Sequence, residues 1–345
     1  MMQNKLLSLI QNKEIIIQND RRICMDLTKE EINYVKIYQG RTSNVGTDNP
    51  DKLAQLQHEN INRFLRFIKD PDSVDLKDIK ISNVQDIIYM IHTLCELAGK
   101  SAIEFKLNRD EFYQTLIDRS FYRYENVNNL PNYNEGCLSN FKSTGINKSN
   151  IAWFASADKI LLNYKMKGFC PIIPVNIIVN RSSKIDIESA WFDDEQEYLF
   201  PPFLDCRIEG NNTEVGIFKE DTFDTSDVES CMIACHEIEE KFNQKFEEDQ
   251  KAGIVSEQLK KYCKVIYQYL YTFSRIGYNH YKEIYNDEDK LQAWKEETET
   301  SLEERTQSLL SELSSENNAT RSDKELEDMM QCMEEVLNDT NTKTK

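Results

Sequence analysis

One change of pattern constrains this chain of 345 residues more than any other feature. From about residue 119 to 222, helical spacing of apolar residues gives way to short segments rich in β-branched and aromatic side chains. FYRYENV, CLSNFKS, PVNIIVN, IDIES, EYLFPPFLDCRI and EVGIF each read as a strand. Five of the seven prolines fall here, which suits short strands joined by turns. One helix is expected to interrupt them, NIAWFASADKILLNYKMK, with Ser149 as its cap. Short strands around an embedded helix imply an α+β sandwich.

Both flanks read as helical. Thr28 and Glu31 form a capping box for a helix through about Gln39. Asn49-Pro50 resembles an N-cap and first-turn pair, followed by Leu53, Leu56, Ile61, Phe64, Leu65 and Ile68 on one stripe until Pro71. Ser82 or Asn83 caps a further helix with Gly99 as its stop, and Asp110 to Asp118 forms a short one. Beyond the β-rich stretch, Ser226-Asp227 starts a helix that turns Met232, Ile233 and Ile238 to a core. Ser256-Glu257 starts another, carrying Leu259, Cys263, Ile266, Leu270 and Phe273. Ser301 and Glu304 form a second capping box, and the last 25 residues or so are frayed or independently helical. The expected divisions are a helical region over 1–118, a β-rich core over 119–222 and an acidic helical region over 223–345.

Charge and composition remove several classes. The formal net charge is −18, so a sequence-independent grip on duplex nucleic acid, which needs clustered Lys and Arg, is disfavoured. Residues 283–345 hold 18 acidic and 7 basic side chains, a solvated acidic face or a docking surface for a partner. No apolar run reaches about 18 residues, so no membrane-spanning helix is expected. The stretch MMQNKLLSLIQNKEIII lacks the continuous apolar run and small-residue cleavage site of a secretory signal. Nine scattered cysteines point to a reducing compartment rather than a disulfide scaffold. There is no GxGxxG, Walker-type loop, HExxH, GxSxG or CxxC. Cys231, Cys235 and His236 share one predicted helix, but a zinc site needs a fourth ligand, so core cysteines beside an exposed histidine are expected and no metal is.

The chemistry-bearing residues lie in the β-rich core. Arg123 stands inside FYR, Ser143-Thr144-Gly145 ends a second strand, and Glu195 and Glu197 open a third. Side chains alternate along a strand, so residues i and i+2 project to one face and two carboxylates stand together. A bare Glu-x-Glu is usually an exposed acidic loop before a strand. The three pieces together, in this order, resemble the mono-ADP-ribosyltransferases of the arginine–serine–glutamate type, which include bacterial toxins and vertebrate arginine-specific ecto-enzymes. The likeness extends to an Ala-aromatic-Phe element in AWFAS after Ser-Thr, and to EQEYLFPPF, its most specific piece. It covers roughly residues 119 to 220, under a third of the chain, and neither helical flank.

The resemblance implies an ADP-ribosyltransferase-like β-sandwich with NAD as co-substrate, cleaved at the nicotinamide–ribose bond through an oxocarbenium-like state. Glu197 would stabilise that state and reach a hydroxyl of the nicotinamide ribose. Ser143 would position Glu197, Thr144 would support the strand end, and Arg123 would hold NAD as an always-charged clamp. Glu195 would orient or deprotonate the incoming nucleophile, which favours arginine as acceptor. Trp191 and Phe192 fall in the acceptor-recognition loop, with core packing as the competing reading; Trp153 and Phe154 read as core. Two positions depart from the family pattern. Gly145 stands where a second serine is usual, and Tyr124 where glycine is common, so its ring either narrows the NAD cleft or stacks on nicotinamide. The expected partners are NAD and a target protein with an arginine acceptor. The alternatives are an NAD glycohydrolase on the same fold and a catalytically silent interaction protein. The expected setting is a cytosol, reached either directly or as a delivered effector.

Overall fold

The structure is a computed structural model that describes residues 23–25, 27–40, 50–107, 119–127, 136–175, 178–180, 197–219 and 221–298. The chain divides into two units, Met1–Gln292 and Ala293–Lys345. In the second, residues 293–298 are helical, and Thr298 Oγ1 donates to the Trp294 carbonyl at 2.8 Å. All that follows concerns the first unit.

The N-terminal part holds a short strand, β1 (Ile23–Met25), and four helices: α1 (Lys29–Tyr38), α2 (Pro50–Leu56), α3 (His58–Lys69) and α4 (Val84–Leu107). The capping box of α1 is closed: Glu31 N donates to Thr28 Oγ1 at 3.1 Å, and Thr28 N to Glu31 Oε2 at 2.7 Å. Glu31 also pairs with Lys100 of α4 at 2.7 Å, tying α1 to that helix. The single helix expected over residues 50–68 is two, because Gln57 is extended and caps α3. The apolar stripe survives the break: Ile61, Phe64, Leu65 and Ile68 are buried.

Gly99 does not stop α4, a correction to its expected role. The helix runs on to Leu107, and a methyl group on Gly99 would lie 2.2 Å from Tyr281 Cδ2. Its glycine permits close helix packing rather than a turn. The partner is α7 (Glu257–Asn286), capped by Ser256; α6 (Thr225–Ala252) packs beside it, capped by Asp224 and ended by Gly253 at φ +67°. The expected stripe on α7 is largely buried, at Leu259, Cys263, Ile266 and Leu270. On α6 the inward residues are instead Cys235, Phe242 and Phe246, with Phe242 and Phe246 meeting Phe64 and Phe67 of α3. Met232 and Ile233, expected in the core, are exposed, because the buried face is set by these phenylalanines, about three to four turns further along the helix.

The middle of the chain forms a seven-stranded mixed sheet in the order β5-β7-β3-β2-β4-β9-β8. The strands are β2 (Phe121–Asn126), β3 (Lys142–Gly145), β4 (Lys159–Met166), β5 (Ile173–Pro174), β7 (Glu197–Phe200), β8 (Asp205–Glu209) and β9 (Asn212–Gly216). Among the described residues of this sheet only β4 and β9 pair in parallel; a separate parallel pair joins β1 to β6 (Ile178–Asn180). Residues before β3 reach the start of β8: Leu138 N donates to Leu204 O and Phe203 N to Leu138 O, both at 2.8 Å, so the sheet curls. This mixed α/β architecture agrees with the expected class at that level.

The helix expected over NIAWFASADKILLNYKMK is overturned. Only Lys148–Ile151 is helical (α5), capped by Asn147 rather than Ser149, and a 3-10 turn over Ala152–Phe154 follows. Lys159–Met166 is a central strand held by β2 on one side and β9 on the other. Three consecutive apolar residues, Ile160 to Leu162, hide the period of two, which shows at buried Leu162 and Tyr164. Phe154, expected in the core, is half-exposed on that turn. The expected helix at Asp110 to Asp118, the strand IDIES, the Ser301–Glu304 cap and the last 25 residues lie outside the described residues.

The long apolar segment after Glu197 is two strands joined by a turn. Phe203 sits there with φ 67°, a left-handed conformation that costs an ordinary residue about 1–2 kcal/mol. Helix α7 holds it: Arg275 Nη1 donates to Phe203 O at 3.2 Å, Tyr278 OH to Pro202 O at 3.0 Å, and the Phe203 ring meets Tyr267 and Tyr271 edge-on. Arg275 is fully buried, paired with Asp205 at 3.2 Å and bonded to Asp221. No described helix is long and apolar enough to cross a membrane.

Candidate active site

The site forms where β2, β3 and β7 lie side by side. Strand β3 pairs with β7 in the register Ser143↔Leu199, Thr144↔Tyr198 and Gly145↔Glu197. Directly opposite residues share a face, and so do residues two apart, so Ser143 and Glu197 stand diagonally on one face. Gly145 opposite Glu197 has no side chain, which leaves the carboxylate free to lean toward Ser143. The Ser143 hydroxyl donates to Glu197 Oε1 at 2.5 Å. Thr144 points the other way, is buried, and donates to Tyr198 O at 2.8 Å. Two adjacent hydroxyls therefore do different work: one holds the carboxylate, the other holds the strand that carries it.

Arg123 lies on β2, braced across to β3. Its Nη1 donates to Ser143 O at 2.9 Å and its Nε to Glu125 Oε2 at 3.1 Å. Glu125 also accepts from Lys142 at 3.0 Å, and both are buried. Burial pulls the Lys142 pKa down to about 8, against the Glu125 charge, which opposes the shift. A guanidinium on the neighbouring strand and a buried ion pair thus fix the backbone on which Ser143 stands.

Arg123, Ser143, Thr144 and Glu197 line a cleft of about 780 Å³, within the ~300–1,000 Å³ usual for small-molecule sites. Tyr122, Tyr124, Gly145 and the half-exposed Phe154 line it as well. Its other wall comes from the N-terminal helices, which carry no resemblance. Tyr38 and Gln39 at the end of α1, and Asn62, Arg63 and Arg66 on α3, face the same space. The Tyr38 ring packs on Phe141 at 5.3 Å, just before β3, and Asn62 Nδ2 donates to its hydroxyl at 3.1 Å. Burial, with the nearby Glu197 charge, raises the Tyr38 pKa, so the phenol stays protonated. Gln39 Nε2 donates to Glu197 Oε2 at 3.2 Å, so both carboxylate oxygens are held.

Three arginines converge here. The Arg66 pKa is lowered, first by burial; Glu125 opposes the shift, and Arg63 and Arg123 reinforce it. Arg63 pairs with Glu59 at 3.4 Å and Arg123 with Glu125 at 3.1 Å, so part of this positive charge is offset within the site itself. The spacing of Arg63 and Arg66, three apart on a helix, was a visible signal, because such residues share a helix face. Gln39 had none, since its place depends on how α1 docks.

The structure therefore brings Arg123, Tyr124, Ser143 and Glu197 to one cleft, and Thr144 borders it while its side chain turns to the other face of the sheet. Glu195, Trp191, Phe192 and the side chain of Trp153 lie outside the described residues. Cys235 is buried, Cys231 half-buried and His236 exposed, and among the described residues no cluster of His, Cys, Asp and Glu is placed to hold a metal ion. Comparison with protein-family models, with curated proteins and with solved structures gives no match.

Proposed function

We propose that this chain is an NAD-dependent mono-ADP-ribosyltransferase that modifies a protein, with arginine as the first acceptor. One observation carries the reading: Arg123, Ser143 and Glu197, from three adjacent strands, meet in one cleft whose facing wall supplies Arg63 and Arg66. The cations suit a diphosphate, and a hydrogen-bonded carboxylate suits the hydroxyls of a ribose. In the reaction, the bond between nicotinamide nitrogen and ribose C1′ breaks, and its electron pair leaves with nicotinamide. Positive charge develops on C1′ and the ring oxygen, where the fixed carboxylate of Glu197 stabilises it without reorganising. A guanidino nitrogen of the acceptor then bonds to C1′ and loses a proton. Glu195, by the resemblance, orients that nitrogen and receives the proton, and Trp191 and Phe192 meet the target surface. The setting in which this activity fits is a cytosol, where NAD and protein targets are both present.

The test uses the purified chain and its Glu197→Ala variant, each incubated with biotinylated NAD and a cell lysate. The expected result is a labelled protein band that the variant does not produce. Nicotinamide release without labelled protein, again lost in the variant, would make water the acceptor and the enzyme a glycohydrolase. A folded wild-type chain that neither binds NAD in calorimetry nor releases nicotinamide would refute the reading.

A further inference from the structure

The end of α1 reaches into the cleft and touches the residue proposed to do the chemistry. Gln39 caps α1 at φ −74° and ψ 0°, its N–H donating to Val35 O at 3.1 Å, and Gly40 turns the chain away at φ +77°. The side chain is thus held at both of its ends, by the helix and by Glu197. Its amide orientation follows from chemistry, since only the nitrogen can donate to a carboxylate. That orientation leaves Gln39 Oε1 buried, facing no hydrogen-bond donor among the described residues. A buried acceptor in that state carries a desolvation penalty, and because Gln39 lines the cleft, a small turn of its side chain toward that space lets a ligand hydroxyl relieve it. Glu197 Oε1 and Oε2 each keep acceptor capacity beyond the bonds to Ser143 and Gln39.

We infer that Gln39 and Glu197 form a two-acceptor clamp for the cis-diol of one ribose. Resting on the NAD reading above, Glu197 takes the 2′-hydroxyl of the nicotinamide ribose and Gln39 Oε1 takes the 3′-hydroxyl. The Gln39 nitrogen, bonded to Glu197 Oε2, couples the two acceptors so that the diol is read as a unit. The helical region over residues 1–118 thereby contributes a substrate-binding residue, and α1 must be docked for the sugar to be gripped. A ribose diol meets this pair of acceptors fully, whereas a sugar lacking the 3′-hydroxyl leaves Gln39 Oε1 unsatisfied.

The experiment measures nicotinamide release by the full chain and by Gln39→Leu, with NAD and with NAD lacking the 3′-hydroxyl of the nicotinamide ribose. Gln39→Met, unbranched and of similar length, stands in where Leu crowds the cleft, and circular dichroism and Tm establish that the variants are folded. Wild type is expected to lose about five- to tenfold in kcat/KM on the 3′-deoxy analogue, the worth of one hydrogen bond. The variant is expected to lose at least that factor on NAD itself, since it also loses the bond to Glu197, and to stop discriminating between the two ligands. A variant that is slower but still discriminates as wild type does would show a merely structural role and overturn the clamp. A variant with unchanged kinetics on both would also overturn it, leaving the transferase reading in place. A folded wild-type chain that neither binds nor cleaves NAD overturns both.

Discussion

Removing the Ser143 hydroxyl tests the geometry of the site most directly. In Ser143→Ala the carboxylate of Glu197 loses the 2.5 Å hydrogen bond to Oε1 and keeps only the 3.2 Å bond from Gln39. A hydrogen bond to a charged group contributes about 1.5–3 kcal/mol. At about 1.4 kcal/mol per tenfold in rate, loss of the full bond in the transition state lowers kcat/KM by about 10- to 150-fold. The site is open on one side, so water restores part of the loss and the expected fall is about 10- to 30-fold. On the transferase reading proposed above, the loss should fall on kcat more than on KM, because the bond would orient a group whose charge matters most as an oxocarbenium forms. The assay is nicotinamide release over a range of NAD concentrations from below KM to saturation, with Tm measured alongside. Thr144→Val is the control: its hydroxyl bonds the Tyr198 carbonyl on the other face, so it should cost stability, about 1 kcal/mol, before activity. A Ser143→Ala enzyme within twofold of wild type, or Thr144→Val losing more kcat than Ser143→Ala at equal Tm, would refute the division of labour between the two hydroxyls.

Two further substitutions probe the frame that carries the site. Arg275→Met leaves Asp205 buried without its guanidinium and frees the Phe203 turn, and should destabilise the chain by about 3–5 kcal/mol in urea titration; less than 1 kcal/mol would show that the turn holds itself. His92 lies on α4 against Tyr269 and Phe273 of α7, and burial holds its pKa down at about 4. Between pH 6.5 and 4 the unfolded chain protonates this residue and the folded one does not, so its contribution to stability is lost as pH falls through that window. The loss reaches at most about 3 kcal/mol, and His92→Phe should flatten that part of the stability–pH curve by the same amount; parallel curves for the two proteins would refute it.

Local signals determined the capped helices, and the resemblance singled out Arg123, Ser143 and Glu197, which line one cleft. The Thr28–Glu31 box, the Ser256 cap and the stripe on α7 are contacts within a few residues, so they are legible without tertiary structure. The order of Arg123, Ser143 and Glu197, each beside a strand, was equally plain. Where the signals were ambiguous, partners decided. Lys159–Met166 has the apolar content of a helix and becomes a strand because β2 and β9 satisfy its backbone on both sides. Gly99 reads as a helix stop and is instead the gap into which Tyr281 fits. Only tertiary structure set the β7–β3–β2 adjacency that turns three distant residues into one site, since register depends on pairing between strands far apart in the chain. It also brought Gln39, Arg63 and Arg66 to the cleft, because a helix face has no address until something packs against the opposite side.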